Sequence, residues 1–238
     1  KYDNIQNYQS ARINFDRGNR YYASLGFDGG IWYQLSALGS QTTLRVEARS
    51  NGGSAGTPLP ATGYFAKKLI NLKFTWASNN SITIQRYPWP TMRLADLYLL
   101  YAEALNEAEG PVEEVHTYLN KIRARAGLKT IKESWDNYST NPGKYKTKDG
   151  MRSIIRQERS IELCFEGSRF WDLRRWKTAA VELNQNVQGW DVNQKDPALY
   201  YRLTTYWAQK FVAPRDYLWP IPENDLLVNQ NLVQNPGW

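Results

Sequence analysis

The sequence has little of what metal or thiol chemistry requires. Among 238 residues it contains one cysteine, Cys164, and one histidine, His116. A single cysteine excludes an internal disulfide, and neither the His-Glu-x-x-His nor the Cys-x-x-Cys spacing of metal sites is present. Cys164 and His116 also fall in different predicted helices, which argues against a Cys–His nucleophile. We therefore expect no metal ion, no cofactor and no thiol catalysis.

Long apolar runs are also missing. No stretch approaches the roughly 20 apolar residues that span a bilayer, and the sequence contains no signal-peptide pattern. The glycine-rich residues 50–63 lack the Lys-Ser/Thr of a phosphate-binding loop. We interpret the chain as a mature or trimmed piece, so the missing leader says nothing about export.

Aromatic residues, by contrast, are abundant. The chain has 10 Trp, 16 Tyr and 7 Phe, with a net charge of +7. Single-stranded nucleic acids are bound by aromatics interleaved with cations, but here the two are interleaved only in Arg169–Lys177. There the rings fit the apolar face of a helix, and other cations cluster at predicted helix C-termini, where they complement the dipole. No nucleic-acid partner is therefore expected.

The organising element is residues 149–184, whose apolar residues recur at three- and four-residue steps over a wide face. Asp149 is its predicted N-cap, and Gly167 is a weak joint at which the stretch would bend. Its polar face carries acids four residues apart, interleaved with arginines: Glu158, Glu162 and Glu166. A salt-bridged helix surface is favoured over the paired carboxylates of a glycosidase.

Residues 91–127 predict two helices with tetratricopeptide-like spacing, joined at Gly110-Pro111. A single such repeat cannot bury its own faces, so the central helix is the expected cover. Residues 128–148 predict a loop, and residues 218–238 a proline-rich tail packed on the core. The predicted fold class is mainly α: a tetratricopeptide-like α/α hairpin packed on a long helix, with short strands and extensive ordered loops.

Three segments together resemble the SusD/RagB family. They are RLADLYLLYAEALNE followed by YLNKIRARAGL (93–107, 118–128), IRQERSIELCFEGSRFWDLRRWK (155–177) and LWPIPENDLLVNQNLVQNPGW (218–238). Their order matches the C-terminal half of the family. Residues 1–238 are accordingly identified as the C-terminal portion of a SusD/RagB-like domain.

The resemblance implies a non-catalytic protein on the extracellular face of a Bacteroidetes outer membrane. Its expected ligand is a glycan, oligo- or polysaccharide, passed to a SusC-like TonB-dependent transporter for nutrient uptake. Membrane attachment would be through an N-terminal lipid anchor absent from this chain. The alternatives are a peptide-capturing RagB-like member and a structural lid without its own ligand site.

The resemblance assigns no ligand contacts, because the matching motifs belong to the scaffold and the family's ligand site is built from variable loops. Sugars stack their C–H faces on aromatic rings while amides bind their hydroxyls, so aromatics in loops beside amides are the candidates. Core packing is the competing interpretation for each ring. Trp89, between two prolines, is assigned a structural role. The glycan-binding candidates are Trp32, Tyr33, Tyr64, Trp76, Asn79 and Asn80.

Overall fold

The computed structural model describes residues 9–34, 43–49, 60–71, 73, 75–76 and 82–238. This part of the chain is mainly helical, which confirms the predicted fold class at that level. Its α-helices are α1 (Asn19–Ser24), α2 (Leu94–Glu109), α3 (Glu113–Arg125), α4 (Ile131–Tyr138), α5 (Lys148–Glu162), α6 (Ser168–Arg175), α7 (Ala179–Glu182), α8 (Pro197–Tyr200) and α9 (Glu223–Val228). Short 3-10 helices occupy Arg12–Asn14, Lys144–Lys146 and Arg215–Tyr217.

The described strands form antiparallel pairs, each a two-stranded sheet. They are β1 (Leu25–Phe27) with β4 (Tyr64–Ala66), β2 (Ile31–Gln34) with β3 (Thr43–Arg45), β5 (Thr75–Trp76) with β6 (Ile82–Thr83), and β7 (Asn186–Trp190) with β8 (Leu203–Ala208). Isolated hairpins are marginal in water, so these sheets depend on packing. A small core serves this purpose: Val46, Ala48, Val192 and Tyr200 are buried together.

The main core lies between the helix pair and α5. Apolar side chains from one face of each helix meet there, at the three- and four-residue steps seen in the sequence. Leu99 and Ile155 are fully buried in it. Its buried members are Ala95, Leu99, Ala102, Val115, Leu119, Ile122, Ile131, Tyr145, Met151, Ile154, Ile155 and Leu163.

The stretch 149–184 is three helices rather than one. Phe165 and Gly167 adopt left-handed backbone angles, with φ of 65° and 81°, and separate α5 from α6. The bend therefore falls where the sequence places it. Asp149 as N-cap is wrong: α5 begins at Lys148, and the Thr147 side chain accepts from the Gly150 N–H. Asp149 lies in the first turn, where its charge favours the helix dipole.

The loop predicted for 128–148 is also wrong, because it contains α4. The Thr130 hydroxyl caps this helix by accepting from the Glu133 N–H at 3.2 Å. Trp135 packs against the main core. Tyr145, in the 3-10 helix that follows α4, is buried. The His116 ring meets it edge-on, with 5.6 Å between the ring centroids. Burial lowers the pKa of His116.

The C-terminal tail, predicted to pack on the core, leaves several of its apolar side chains exposed. Trp219 is 65% exposed and Val228 is 87% exposed. The tail closes on itself: the Asn235 side chain donates to the Trp219 carbonyl at 2.6 Å, and the Trp238 indole donates to the Arg215 carbonyl at 3.2 Å. Side-chain amides satisfy its backbone, so burial of its apolar residues is not needed for closure.

Candidate functional site

The buried face of α5 changes character along the helix. Its first buried residues are apolar and its last are charged: Met151, Ile154, Ile155, then Glu158, Arg159 and Glu162. Buried charges are costly unless they are paired and hydrogen-bonded. The C-terminal end of α5 must therefore gather partners from other elements.

Arginines from three other segments supply those partners. Arg20 of α1 donates to Glu158 at 2.8 Å and reaches Glu162 at 3.4 Å. Arg93 donates to Glu162 at 3.1 Å. Arg123 and Arg125 of α3 complete the set, on Glu158 and Glu162 respectively. The predicted ion pairing of these acids is confirmed, but Glu158 and Glu162 are buried rather than on a surface.

The arginines nearest in sequence to these glutamates pair with other carboxylates. Arg159 donates to Asp172 at 2.9 Å and to Asp96 at 2.7 Å. Arg169 donates to Glu182 at 2.9 Å. Arg159 thus pairs with carboxylates of α2 and α6 rather than with Glu162. Arg169 lies in α6, beyond the bend at Gly167 that separates it from Glu166.

Glu166, in the turn after α5, is held by two cations. The Arg93 guanidinium donates to both of its carboxylate oxygens at 2.7 Å, and Lys68 pairs with it as well. Burial acts to raise the pKa of Glu166, but the hydrogen bonds from Arg93 and Lys68 outweigh it and hold the pKa below its usual value. Arg93 thereby ties the start of α2 to the α5–α6 turn.

A cleft of about 280 Å³ opens beside this pair, between residues 68–69, residues 87–93 and the α5–α6 turn. Tyr87 and Trp89 form one wall, and the Tyr87 hydroxyl donates to the Leu69 carbonyl at 2.7 Å. Polar groups line the rest: Lys68, Thr91, Arg93, Asp96, Glu166 and Ser168. The cleft combines an aromatic wall with convergent polar groups, as ligand sites do.

The two rings of this wall are placed for stacking. Their centroids lie 6.3 Å apart with 31° between the planes, and Tyr87 and Trp89 are 40% and 61% exposed. Each precedes a proline, which favours an extended backbone. In an extended chain, residues two apart project to the same side. Trp89, which the sequence assigns a structural role between two prolines, is thus exposed beside Tyr87 rather than packed into the core.

The predicted site residues fall in several places. Trp32 is half-buried, with its ring against Gly26 and edge-on to Phe65 at 6.3 Å. Tyr64 is half-buried, and its hydroxyl bonds to the Asn14 side chain at 3.2 Å. The structure does not bring these two into the Tyr87–Trp89 cleft. Tyr33 and Trp76 lie in β2 and β5, with side chains outside the described part, and Asn79 and Asn80 lie outside the described residues.

The described ranges contain no group of three or more His, Cys, Asp or Glu side chains placed to hold a metal ion. None of their helices combines the length and apolarity that crossing a bilayer demands.

The described chain is thus a mainly helical frame with an aromatic-walled cleft beside ion-paired carboxylates. The SusD family model matches residues 1–238, and the chain belongs to the SusD family. Proteins of this family bind ligands without catalysing reactions on them.

Known relatives extend well beyond this chain. SusD-like protein P2 of Formosa agariphila is 36% identical over 148 residues, which are 62% of this chain and 25% of P2. The solved structure of BT4246 superposes on all of this chain and on 41% of its own, with a TM-score of 0.80 and 27% identity. A SusD-like carbohydrate binding protein from Bacteroides fragilis has a TM-score of 0.58 at 23% identity, over 97% of this chain and 44% of its own, and shows a shared fold. This chain thus spans less than half of each.

Proposed function

We propose that this chain captures oligosaccharides in the Tyr87–Trp89 cleft. The observation that carries the proposal is the exposed pair of rings, inclined by 31° to each other, beside a polar lining. A pyranose presents an apolar C–H face that matches such rings, and its hydroxyls match the Asp96, Thr91 and Ser168 side chains at the cleft. Capture of a sugar by these groups requires only non-covalent contacts and no catalytic step.

The candidates Trp76, Asn79 and Asn80 extend this proposal. In the sequence they stand shortly before β6, which leads into residues 84–89 and the cleft, and Trp76 belongs to β5. A second ring and two amides there would lengthen the platform for a chain of sugars. Trp32, Tyr33 and Tyr64 remain a proposed second surface, with Trp32 and Tyr64 already sharing their rings with the packing of the small sheets.

The family supports a wider proposal for the whole protein. We propose a lipid-anchored protein on the extracellular face of the outer membrane that hands glycans to a SusC-like TonB-dependent transporter. Two things support it: membership of the SusD family, and the carbohydrate-binding role named for the structural neighbour from Bacteroides fragilis.

Isothermal titration of the chain against neutral and acidic oligosaccharides, with a peptide library as comparison, tests the proposal. We expect a glycan to bind and peptides not to bind. Binding of peptides alone would replace the proposal with peptide capture. Absence of any binding by this chain would favour a structural lid. A crystal soaked with the best glycan should place a sugar ring on Trp89.

A further inference from the structure

A second cleft, of about 390 Å³, lies between α5, α6 and the start of α7. It shares none of its lining with the Tyr87–Trp89 cleft. Cations, hydroxyls and one large ring dominate its wall: Arg152, Arg156, Ser160, Arg169, Trp176 and Thr178.

Two of the three arginines in this wall already have carboxylate partners. Arg152 donates to both oxygens of Glu107 and also pairs with Asp149. Arg169 donates to Glu182 at 2.9 Å. The positive charges of Arg152 and Arg169 are therefore largely neutralised by these ion pairs.

Arg156 is different. Within the described part of the chain no carboxylate lies within ion-pairing distance of it, and its buried Nε–H has no acceptor. Its guanidinium lies 4.7 Å from the centre of the Trp176 ring. A buried donor without an acceptor is rare in folded proteins, because losing its water without compensation is costly.

The nearest acids are committed to other groups. Glu103 accepts from the Trp176 indole and from Arg175, both at 2.6 Å, and Glu107 is held by Arg152. Burial lowers the pKa of Arg156, with Glu103 and Glu107 opposing that shift. A guanidinium stays protonated near neutral pH even so. Arg156 is therefore a fixed positive charge with donors facing a cleft.

We propose that this Arg156–Trp176 cleft binds an oxyanion of the ligand, either the carboxylate of a uronic acid or a sulfate ester on an oligosaccharide. Arginine binds both groups through parallel N–H donors, and Ser160 and Thr178 supply hydroxyls beside them. The Trp176 ring adds a cation–π contact with the guanidinium at 4.7 Å. The inference rests on the proposed function and narrows its ligand to acidic glycans.

The test compares three probes by isothermal titration: tetragalacturonate, a sulfated galactotetraose and unsulfated galactotetraose. Each is titrated into the wild-type chain, Arg156→Gln, Arg156→Lys and the control Arg202→Gln, which removes the same charge from an exposed position outside the cleft. The side-chain Nε–H resonance of Arg156, assigned by its loss in Arg156→Gln, is followed in parallel. Circular dichroism confirms that each variant is folded.

We expect at least one acidic probe to bind the wild-type chain about tenfold or more tighter than the neutral one, a difference of about 1.4 kcal/mol per tenfold. Arg156→Gln should remove that preference, Arg156→Lys should keep part of it, and Arg202→Gln should stay within about twofold. The Arg156 resonance should shift with the same acidic probe. Which acidic probe is preferred identifies the oxyanion.

Equal affinity for acidic and neutral probes, or equal losses in Arg156→Gln and Arg202→Gln, would overturn the inference. In that outcome binding of the neutral tetrasaccharide still supports glycan capture. Failure of all three probes and of the wider glycan panel would overturn both proposals together.

Discussion

The Tyr201 hydroxyl donates a 2.7 Å hydrogen bond to Oδ2 of Asp28, a residue 173 positions earlier in the chain. The same buried carboxylate accepts from the Ala48 N–H and from Arg49, both at 2.9 Å. One side chain thus joins three distant segments around the small sheets. A buried acid with this many donors stabilises the fold only while all of its partners are present.

Asp28→Ala should lower the free energy of unfolding by about 3 to 5 kcal/mol, because it removes the carboxylate that Arg49 and the Tyr201 hydroxyl share. Tyr201→Phe, which removes one donor only, should cost about 1 kcal/mol. Urea unfolding followed by fluorescence measures both. Similar costs for the two variants would contradict a shared network centred on Asp28.

Leu99→Ala should cost about 2 to 5 kcal/mol, since Leu99 is fully buried between the helix pair and α5. The matched control is Leu227→Ala, the same change at a residue that is 71% exposed. Exposed substitutions usually alter stability by less than about 0.5 kcal/mol. Thermal unfolding of the two variants compares them, and a tail packed on the core would instead make Leu227→Ala costly.

Trp89→Ala should weaken binding of the captured oligosaccharide about tenfold, since buried aromatic contacts dominate most binding sites. Stability should change little because the ring is already exposed. Trp207→Ala, at a tryptophan of β8 that is 68% exposed, is the control and should leave affinity unchanged. Titration with the best glycan measures both, and equal losses would show that the platform lies elsewhere.

Glu166 should make stability depend on acidity. Its folded pKa lies below the ordinary value of 4.5, so the unfolded chain takes up the proton first as pH falls. The contribution of Glu166 is therefore complete above the unfolded pKa and is lost as pH falls through the folded pKa.

The comparison is wild type against Glu166→Gln in thermal unfolding from about pH 3 to pH 7. The difference in Tm should be constant above about pH 5.5 and shrink below about pH 4.5. Arg93→Gln removes the main hydrogen-bonding partner and should reduce the same acid dependence. A difference that stays the same at both ends of the range would rule out Glu166 as its source.

Gly150→Ala tests the start of α5. Alanine in place of glycine usually stabilises a helix by about 1 kcal/mol, but here its Cβ would lie 1.9 Å from the Lys144 carbonyl oxygen. We expect a lower Tm and a shortened first turn. Ser153→Ala, an exposed change one turn further on, should be nearly neutral, and a Tm raised by Gly150→Ala would contradict the close approach.

The helical frame could be predicted because it follows from periodicity. Leu99 and Ile155 stand at helical steps in long apolar patterns, and their burial requires only that those faces meet. Two local features were not predicted. The helix α4 is short and polar, and the N-cap of α5 is Thr147, two residues before the predicted Asp149. Both depend on local hydrogen bonds that a hydrophobic pattern does not report.

The cleft was less predictable because it joins segments distant in the chain. Arg93 and Glu166 are 73 positions apart, and no spacing rule connects them. Trp89 was assigned a structural role because it lies between two prolines, and nothing in the sequence indicated that its ring is exposed beside that of Tyr87. The lack of a carboxylate partner for Arg156 could not be predicted, because it depends on which neighbouring residues pair with Glu103 and Glu107.

The half-buried position of His116 against the Tyr145 ring has a consequence for the pH range in which the protein can bind. It is the only histidine of the chain, its imidazole favours the neutral form, and it lines neither cleft. Histidine is the side chain that ordinarily changes charge between pH 5 and 8. A moderate fall in pH within this range should therefore leave the affinity for a ligand unchanged.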